Sequence, residues 1–311
     1  ELSIKLANFS GGEAEQLRRA MGFKDPRRLN VELEKLAVAL RKAGRNETVV
    51  ERVVTSAKSF AAYGFPESHA IGFAIIAYAS TWLKIHRPAE FYASLLNNQP
   101  MGFYSPATLL QDARREGRNL KVLPICVQHS DWSCTVVDSN TIRLGLRYVK
   151  GLREANVTLL LEQRNNAPFA SMDDFLRRTH FSAAERRTLA AVGALNVFST
   201  HRRAAMWHVE AAWADDESLF KHFADHERDS APLAPMTLTE RINADFRGTG
   251  VTAGRHPMAL LRDHLPDVTR AIDLREIKTG RRVVIAGSVI CRQRPGTASG
   301  VVFISLEDET G

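Results

Sequence analysis

Two glycines stand where the chain could be brought against a phosphate. Gly151 lies in Tyr148-Val-Lys-Gly-Leu-Arg-Glu154, ahead of a helical run through Leu159, Leu160 and Leu161. Gly193 lies in Leu189-Ala-Ala-Val-Gly-Ala-Leu195, which closes one helix before Ser199-Thr-His-Arg-Arg203 opens another. Each stretch reads as a helix, a short glycine-containing hairpin and a second helix. In such a unit glycine lets the backbone come close to a phosphate, and the unpaired N–H groups that start the second helix supply donors and a partial positive charge. Contacts of this kind hold a nucleic-acid backbone without reading its sequence. Lys150, Gly151 and Arg153 carry the first candidate site; Gly193, Arg202 and Arg203 carry the second. Arg153 stands where the first copy would have a second glycine, and the second copy keeps only Gly193, so it reads as a packing copy. Helix-turn-helix packing with no ligand fits the same pattern.

A second basic feature lies near the start of the chain. Ser10 followed three residues later by Glu13 is a capping-box signature, which predicts a helix from Gly11 with Leu17 and Met21 on one face and Arg18 and Arg19 turned elsewhere. A guanidinium is a planar, permanently charged fork that grips phosphate oxygens in pairs. A solvated helix face accounts for the arginine pair without any ligand. His69 has no second His, Cys or carboxylate at ligand spacing and reads as a structural histidine. Cys126, Cys134 and Cys291 show no metal-ligand spacing and leave an odd thiol, which predicts a reducing, cytoplasmic setting. No residue is assigned as catalytic or as a metal ligand.

The elements that must position these residues are set by length and pattern. With 311 residues, two or three domains are expected, and 42 basic against 35 acidic residues give a net charge of +7 that suits a polyanion partner. No charged-then-apolar leader and no long apolar run are seen, so no membrane is expected; both ends read as cut. Apolar spacing predicts two basic amphipathic helices between residues 27 and 58, broken near Gly44-Arg-Asn46. Gly64 and Pro66 then punctuate the chain, Ser68 is placed to cap, and the next apolar stretch predicts a helix buried on most sides and stopped near Pro88. Beyond Pro106 come a helix with Leu109 and Leu110, a short strand at Leu120-Lys-Val-Leu-Pro124, and a hairpin around Asp138-Ser-Asn140. Residues 215 to 240 read as a surface linker, Thr239 to Phe246 as a helix, and residues 283 to 290 and 301 to 306 as two strands.

The wording of residues 60 to 104 says more than its periodicity. Tyr63-Gly-Phe65, Ser68-His-Ala70, an aromatic and Ala-rich helix, Trp82-Leu-Lys84 and Pro88-Ala-Glu-Phe91 resemble the fingers region of bacterial C-family replicative DNA polymerases, the polymerase III alpha subunits. Pro66-Glu67 and Asn97-Asn-Gln-Pro-Met-Gly-Phe-Tyr104 look more like the error-prone branch of that family. The resemblance is strongest at residues 10 to 21, 60 to 104, 142 to 154 and 283 to 311. It implies that Arg18 and Arg19 face the triphosphate of an incoming nucleotide. It also implies that the strands around Arg292-Gln-Arg294 begin an OB-fold, with Arg292 and Arg294 along a single strand. Ser218-Leu-Phe220 faintly resembles the end of a sliding-clamp peptide, but Asp216 and Glu217 replace the glutamine and leucine expected there.

The expected fold is mainly α with small β elements: a helical fingers region at 1–105, a connecting helix and β-hairpin at 106–146, a tandem helix-hairpin-helix module at 147–214, a linker and bridging helices at 215–280, and a truncated OB-fold start at 281–311. The implied activity is DNA-directed DNA synthesis from a primer 3′ end in damage-induced mutagenesis and translesion synthesis. Its implied partners are primer-template, dNTP, a sliding clamp and accessory mutagenesis proteins. Family members use two Mg²⁺ held by palm aspartates. Asp112, Asp131 and Asp173-Asp174 lie in contexts unlike that palm, so this stretch is expected to bind and not to polymerise. The competing reading is a stand-alone, non-catalytic DNA-binding or scaffolding protein built from helix-hairpin-helix and OB modules.

Overall fold

The computed structural model describes residues 2–22, 25–63, 67–115, 120–216, 231–295 and 300–311. Gly64 to Pro66, Gly117 and Ser218 to Phe220 lie outside them. The chain divides into two units, residues 1–80 and 81–311.

In the first unit α1 (Leu2–Ala7), α2 (Gly11–Gly22), α3 (Pro26–Lys42) and α4 (Glu47–Tyr63) bury a core of Phe9, Leu17, Leu33, Leu36, Leu40 and Val50. The capping box forms as the sequence predicts: the Ser10 N–H donates to Glu13 (2.8 Å) and the Glu13 N–H to the Ser10 hydroxyl (3.3 Å). Asp25 caps α3 by accepting from the N–H groups of Arg27 and Arg28, ahead of Pro26, which needs no helical donor. The break between α3 and α4 falls at Gly44, in the left-handed region at φ +75°.

α5 (Glu67–His86) corrects the expectation of a buried helix, and it begins one residue ahead of Ser68. Ile71, Phe73, Ile75, Ile76, Tyr78, Trp82, Leu83 and Ile85 are all exposed. The apolar run dictates a helix, but burial also requires a facing surface, and neither core of the described residues includes an α5 side chain.

In the second unit α6 (Pro88–Asn97) and α7 (Pro106–Arg114) lie beside a small sheet of β1 (Lys121–Leu123), β2 (Thr135–Asp138) and β3 (Thr141–Arg143). The expected hairpin is β2 and β3; in addition β1 pairs parallel with β3, giving the order β1-β3-β2. α6 packs into this core through Ala89, Tyr92, Ala93 and Leu96, which puts residues 81 to 105 with the second unit. α8 (Glu154–Asn166), α9 (Met172–Arg178), α10 (Ala183–Ala191) and α11 (Arg202–Asp216) come next, then α12 (Leu238–Thr249) and α13 (Pro257–Leu261). Leu160, Phe175, Leu189, Leu195 and Ala205 are fully buried, and the Phe175 ring lies 5.4 to 5.9 Å from those of Phe169, Phe181 and Phe198.

At the end of the chain β4 (Ser288–Gln293) and β5 (Phe303–Glu307) form an antiparallel ribbon. The sequence pattern puts Arg292 in the connection between strands. It lies instead inside β4, because the pairing of Arg292 with Ile304 and of Gln293 with Phe303 continues the ladder.

Candidate nucleic-acid interface

The first hairpin runs from a 3₁₀ turn at Leu146–Tyr148 to the first residue of α8. Val149 and Leu152 are buried and anchor it, while Lys150, Gly151 and Arg153 are exposed. Gly151 has φ +78°, a conformation that disfavours a side chain, and nothing lies within 4 Å of where a Cβ would stand. The backbone here is therefore open to an approaching group. Lys150 is held from below: its N–H donates to the Gly248 carbonyl (2.7 Å) and its Nζ to the Phe246 carbonyl (3.1 Å), at the C-terminal end of α12. Cationic donors suit that end of a helix.

The start of α8 is not wholly free for a ligand. Glu185, which closes a capping box with Ser182 at the start of α10, also accepts from the Arg153 N–H (3.1 Å), the Arg153 guanidinium (3.3 Å) and Asn156 (3.0 Å). Burial would push this carboxyl up, but the hydrogen bonds from Arg153 and Ser182 outweigh it and hold the carboxyl down at about 2. One carboxylate thus ties two helix N-termini together and fixes Arg153, whose side chain remains 67% exposed.

The second hairpin repeats the backbone and reverses its environment. Gly193 has φ +81°, but a Cβ there would lie 2.7 Å from Nε of Arg202. Arg202 is 7% exposed, pairs with Asp245 at 2.7 Å and donates to the carbonyls of Ala191 and Arg241. It locks α10, α11 and α12 together and presents no charge to solvent. The N-terminus of α11 is capped from within, the Ala204 N–H donating to Nδ1 of His201 (3.0 Å).

The structure brings Lys150 and Arg203 to one groove of about 600 Å³ between α10, α11 and α12, with Arg187 and Arg247. Four cations and the single carboxylate of Glu240 give its lining a formal +3. Arg203 pairs with Glu240 (2.7 Å) and Arg187 with Glu210. Sequence reading missed Arg187 and Arg247, because only the packing of α12 against α10 places them beside the first hairpin. Arg292 and Arg294 are exposed on the terminal ribbon and do not line the groove. In the first unit Arg18 and Arg19 are exposed and share one partner, Glu15, at 2.7 and 3.0 Å. The two arginines hold the Glu15 carboxyl down at about 2.

The acidic residues serve the fold. Asp112 pairs with Lys84, Asp131 with Arg164, and Asp174 binds the Ala170 N–H, Arg177 and Arg178 at the start of α9. Among the described residues no group of three His, Cys, Asp or Glu could hold a metal ion.

These features are those of a glycine hairpin module, and residues 119–205 match the family model described as helix-hairpin-helix motif. The chain is homologous over its full length to proteins named error-prone DNA polymerase. It is 43% identical over 320 residues to that of Alkalilimnicola ehrlichii, 40% over 318 to that of Pseudomonas fluorescens and 42% over 323 to that of an Azoarcus species. Each match spans all of this chain but only 30 to 31% of the relative. No described helix is long and apolar enough to cross a membrane.

Proposed function

We propose that the chain is the nucleic-acid-handling part of an error-prone DNA-directed DNA polymerase, acting in damage-induced mutagenesis and translesion synthesis in the cytoplasm. The observation that carries this reading is the open Gly151 hairpin beside a groove of four cations, in a chain homologous throughout to error-prone polymerases. In this reading primer-template lies along the Gly151 hairpin and the groove. The Gly151 backbone approaches a phosphate, Arg153 and Lys150 flank it, and Arg187, Arg203 and Arg247 hold the next ones. Arg18 and Arg19 receive the triphosphate of the incoming dNTP by exchanging Glu15 for phosphate oxygens. Arg292 and Arg294 lie along a single strand, and a sliding clamp or accessory mutagenesis proteins are further partners. The Mg²⁺ ions of the reaction do not fit the described residues, which offer no cluster of ligands. A non-catalytic scaffold would share the hairpin and groove; homology to polymerases along the whole chain favours the enzyme.

The test is salt dependence. With four groove cations on phosphates, affinity for a mixed-sequence primer-template, tracked by fluorescence anisotropy, should fall about a hundredfold between about 50 and about 200 mM salt, with little sequence preference. A flat salt response, or strong preference for one sequence, sinks the reading.

A further inference from the structure

α12 borders the basic groove on one side and a separate cavity on the other. Glu240, Ala244 and Arg247 line the groove, whereas Leu238, Ile242 and Asp245 line the cavity. At roughly 100° per residue these two sets fall on opposite faces of the helix. The cavity holds about 290 Å³, far more than the roughly 30 Å³ that one water occupies in the liquid. Its walls are Ile242 with Ile125, Leu144, Val192 and Val251, all buried. Packed interiors leave few voids larger than a water molecule, so an apolar recess of this size beside a closed core is room for something else. The buried pair of Arg202 and Asp245 also lines it, and Asp245 is engaged from within, accepting from the Thr252 hydroxyl (2.6 Å).

Leu238, Arg241 and Arg255 line the cavity too and are exposed, which puts them at its mouth. Nearby arginines have carboxylate partners, Arg203 in Glu240 and Arg262 in Glu309. The side chains of Arg241 and Arg255 have neither a hydrogen bond nor an ion pair among the described residues. Three arginines against the one carboxylate of Asp245 leave the lining at a formal +2. The volume is just under the range of about 300 to 1,000 Å³ for sites that enclose a drug-sized ligand, which suits one large apolar side chain. Binding energy between proteins concentrates in such an anchor, seated in a dry pocket inside a polar rim. We propose that this cavity docks an acidic peptide segment of a partner protein, one large apolar residue filling the recess and carboxylates meeting Arg241 and Arg255. Guanidinium and carboxylate pair through parallel charge-assisted bonds. The apolar walls offer nothing to a DNA backbone, which is charged at every step. Since the cavity faces away from the groove, peptide and duplex are held together, and the site adds to the DNA-binding reading without resting on it.

The test uses the 311-residue chain and two fluorescein-labelled peptides, Glu-Asp-Glu-Phe-Asp-Glu-Asp and the same with a central leucine, followed by anisotropy. At least one should bind, and a central alanine should weaken it about tenfold or more, since it removes the anchor. Changing Arg241 and Arg255 together to glutamate should weaken it about tenfold or more as well, with an unchanged unfolding midpoint because both are exposed. Neither a blunt duplex nor a single-stranded oligonucleotide should displace the peptide. If neither peptide binds, or the alanine control binds equally well, the docking site is overturned. It is also overturned if the double charge reversal leaves peptide affinity intact, or if nucleic acid displaces the peptide, which would place it in the groove or make the cavity a seat for a base. Peptide binding with no duplex binding would keep the site and sink the DNA-binding reading.

Discussion

The two glycine hairpins share a backbone and differ in what faces it. Gly151 and Gly193 have φ +78° and +81°, yet the space where a Cβ would stand is empty at the first and occupied at 2.7 Å by a buried guanidinium at the second. The first glycine keeps a surface open to a ligand, while the second makes room for the chain's own Arg202. A glycine hairpin is therefore evidence of close approach, and only the surroundings say what approaches.

The largest expected effect separates the two sites on stability. Gly193→Ala combines left-handed strain with displacement of the buried Arg202–Asp245 pair and should cost about 3 kcal/mol or more. Denaturant unfolding monitored by tryptophan fluorescence would measure it; an unchanged midpoint would erase the contrast with Gly151. Next comes Glu185→Gln, which keeps the shape and removes the charge that holds Arg153, at about 2 kcal/mol. The Glu185 carboxyl sits below its unfolded value, so its stabilisation is present above about pH 4.5 and is lost as the pH falls toward about 2. Acid titration of stability should show that loss in the wild type and less of it in the variant. Gly151→Val should cost only the strain of its φ, about 1 to 2 kcal/mol, with the larger change in duplex affinity. Unchanged affinity would make both hairpins packing devices. The smallest effect on folding is expected for Arg18 and Arg19, both exposed: changing the pair to alanine should leave unfolding unaltered. In a polymerase carrying this region the same change should weaken nucleotide binding about tenfold or more, read by single-turnover incorporation against dNTP concentration.

Local signals are legible in the sequence wherever neighbours in the chain settle the outcome. The Ser10/Glu13 box, the Gly44 break, the β2–β3 turn and the Gly193 hairpin stand where spacing puts them, whereas Gly151 follows a three-residue 3₁₀ turn in place of the expected first helix. α9 escapes such a reading although Ser171 and Asp174 carry the same capping chemistry, because its run of seven residues is too short for periodicity to declare. What depends on distant segments is hidden. Arg202 reads like Arg203 in sequence, and only Asp245 and the Gly193 backbone decide that one is buried and the other lines a groove. The exposed face of α5 is the converse, since its sequence records a demand for burial that no described element meets.

The hold of α12 on the hairpins also constrains how the protein is made. Arg202 and Lys150 lean on Asp245, Phe246 and Gly248, residues that leave the ribosome on the order of several seconds after Arg202 at ordinary rates of synthesis. Until then a cation destined for the interior has no counter-charge. The nascent helix-hairpin-helix must therefore wait, incompletely closed, for a segment beyond the end of its own motif.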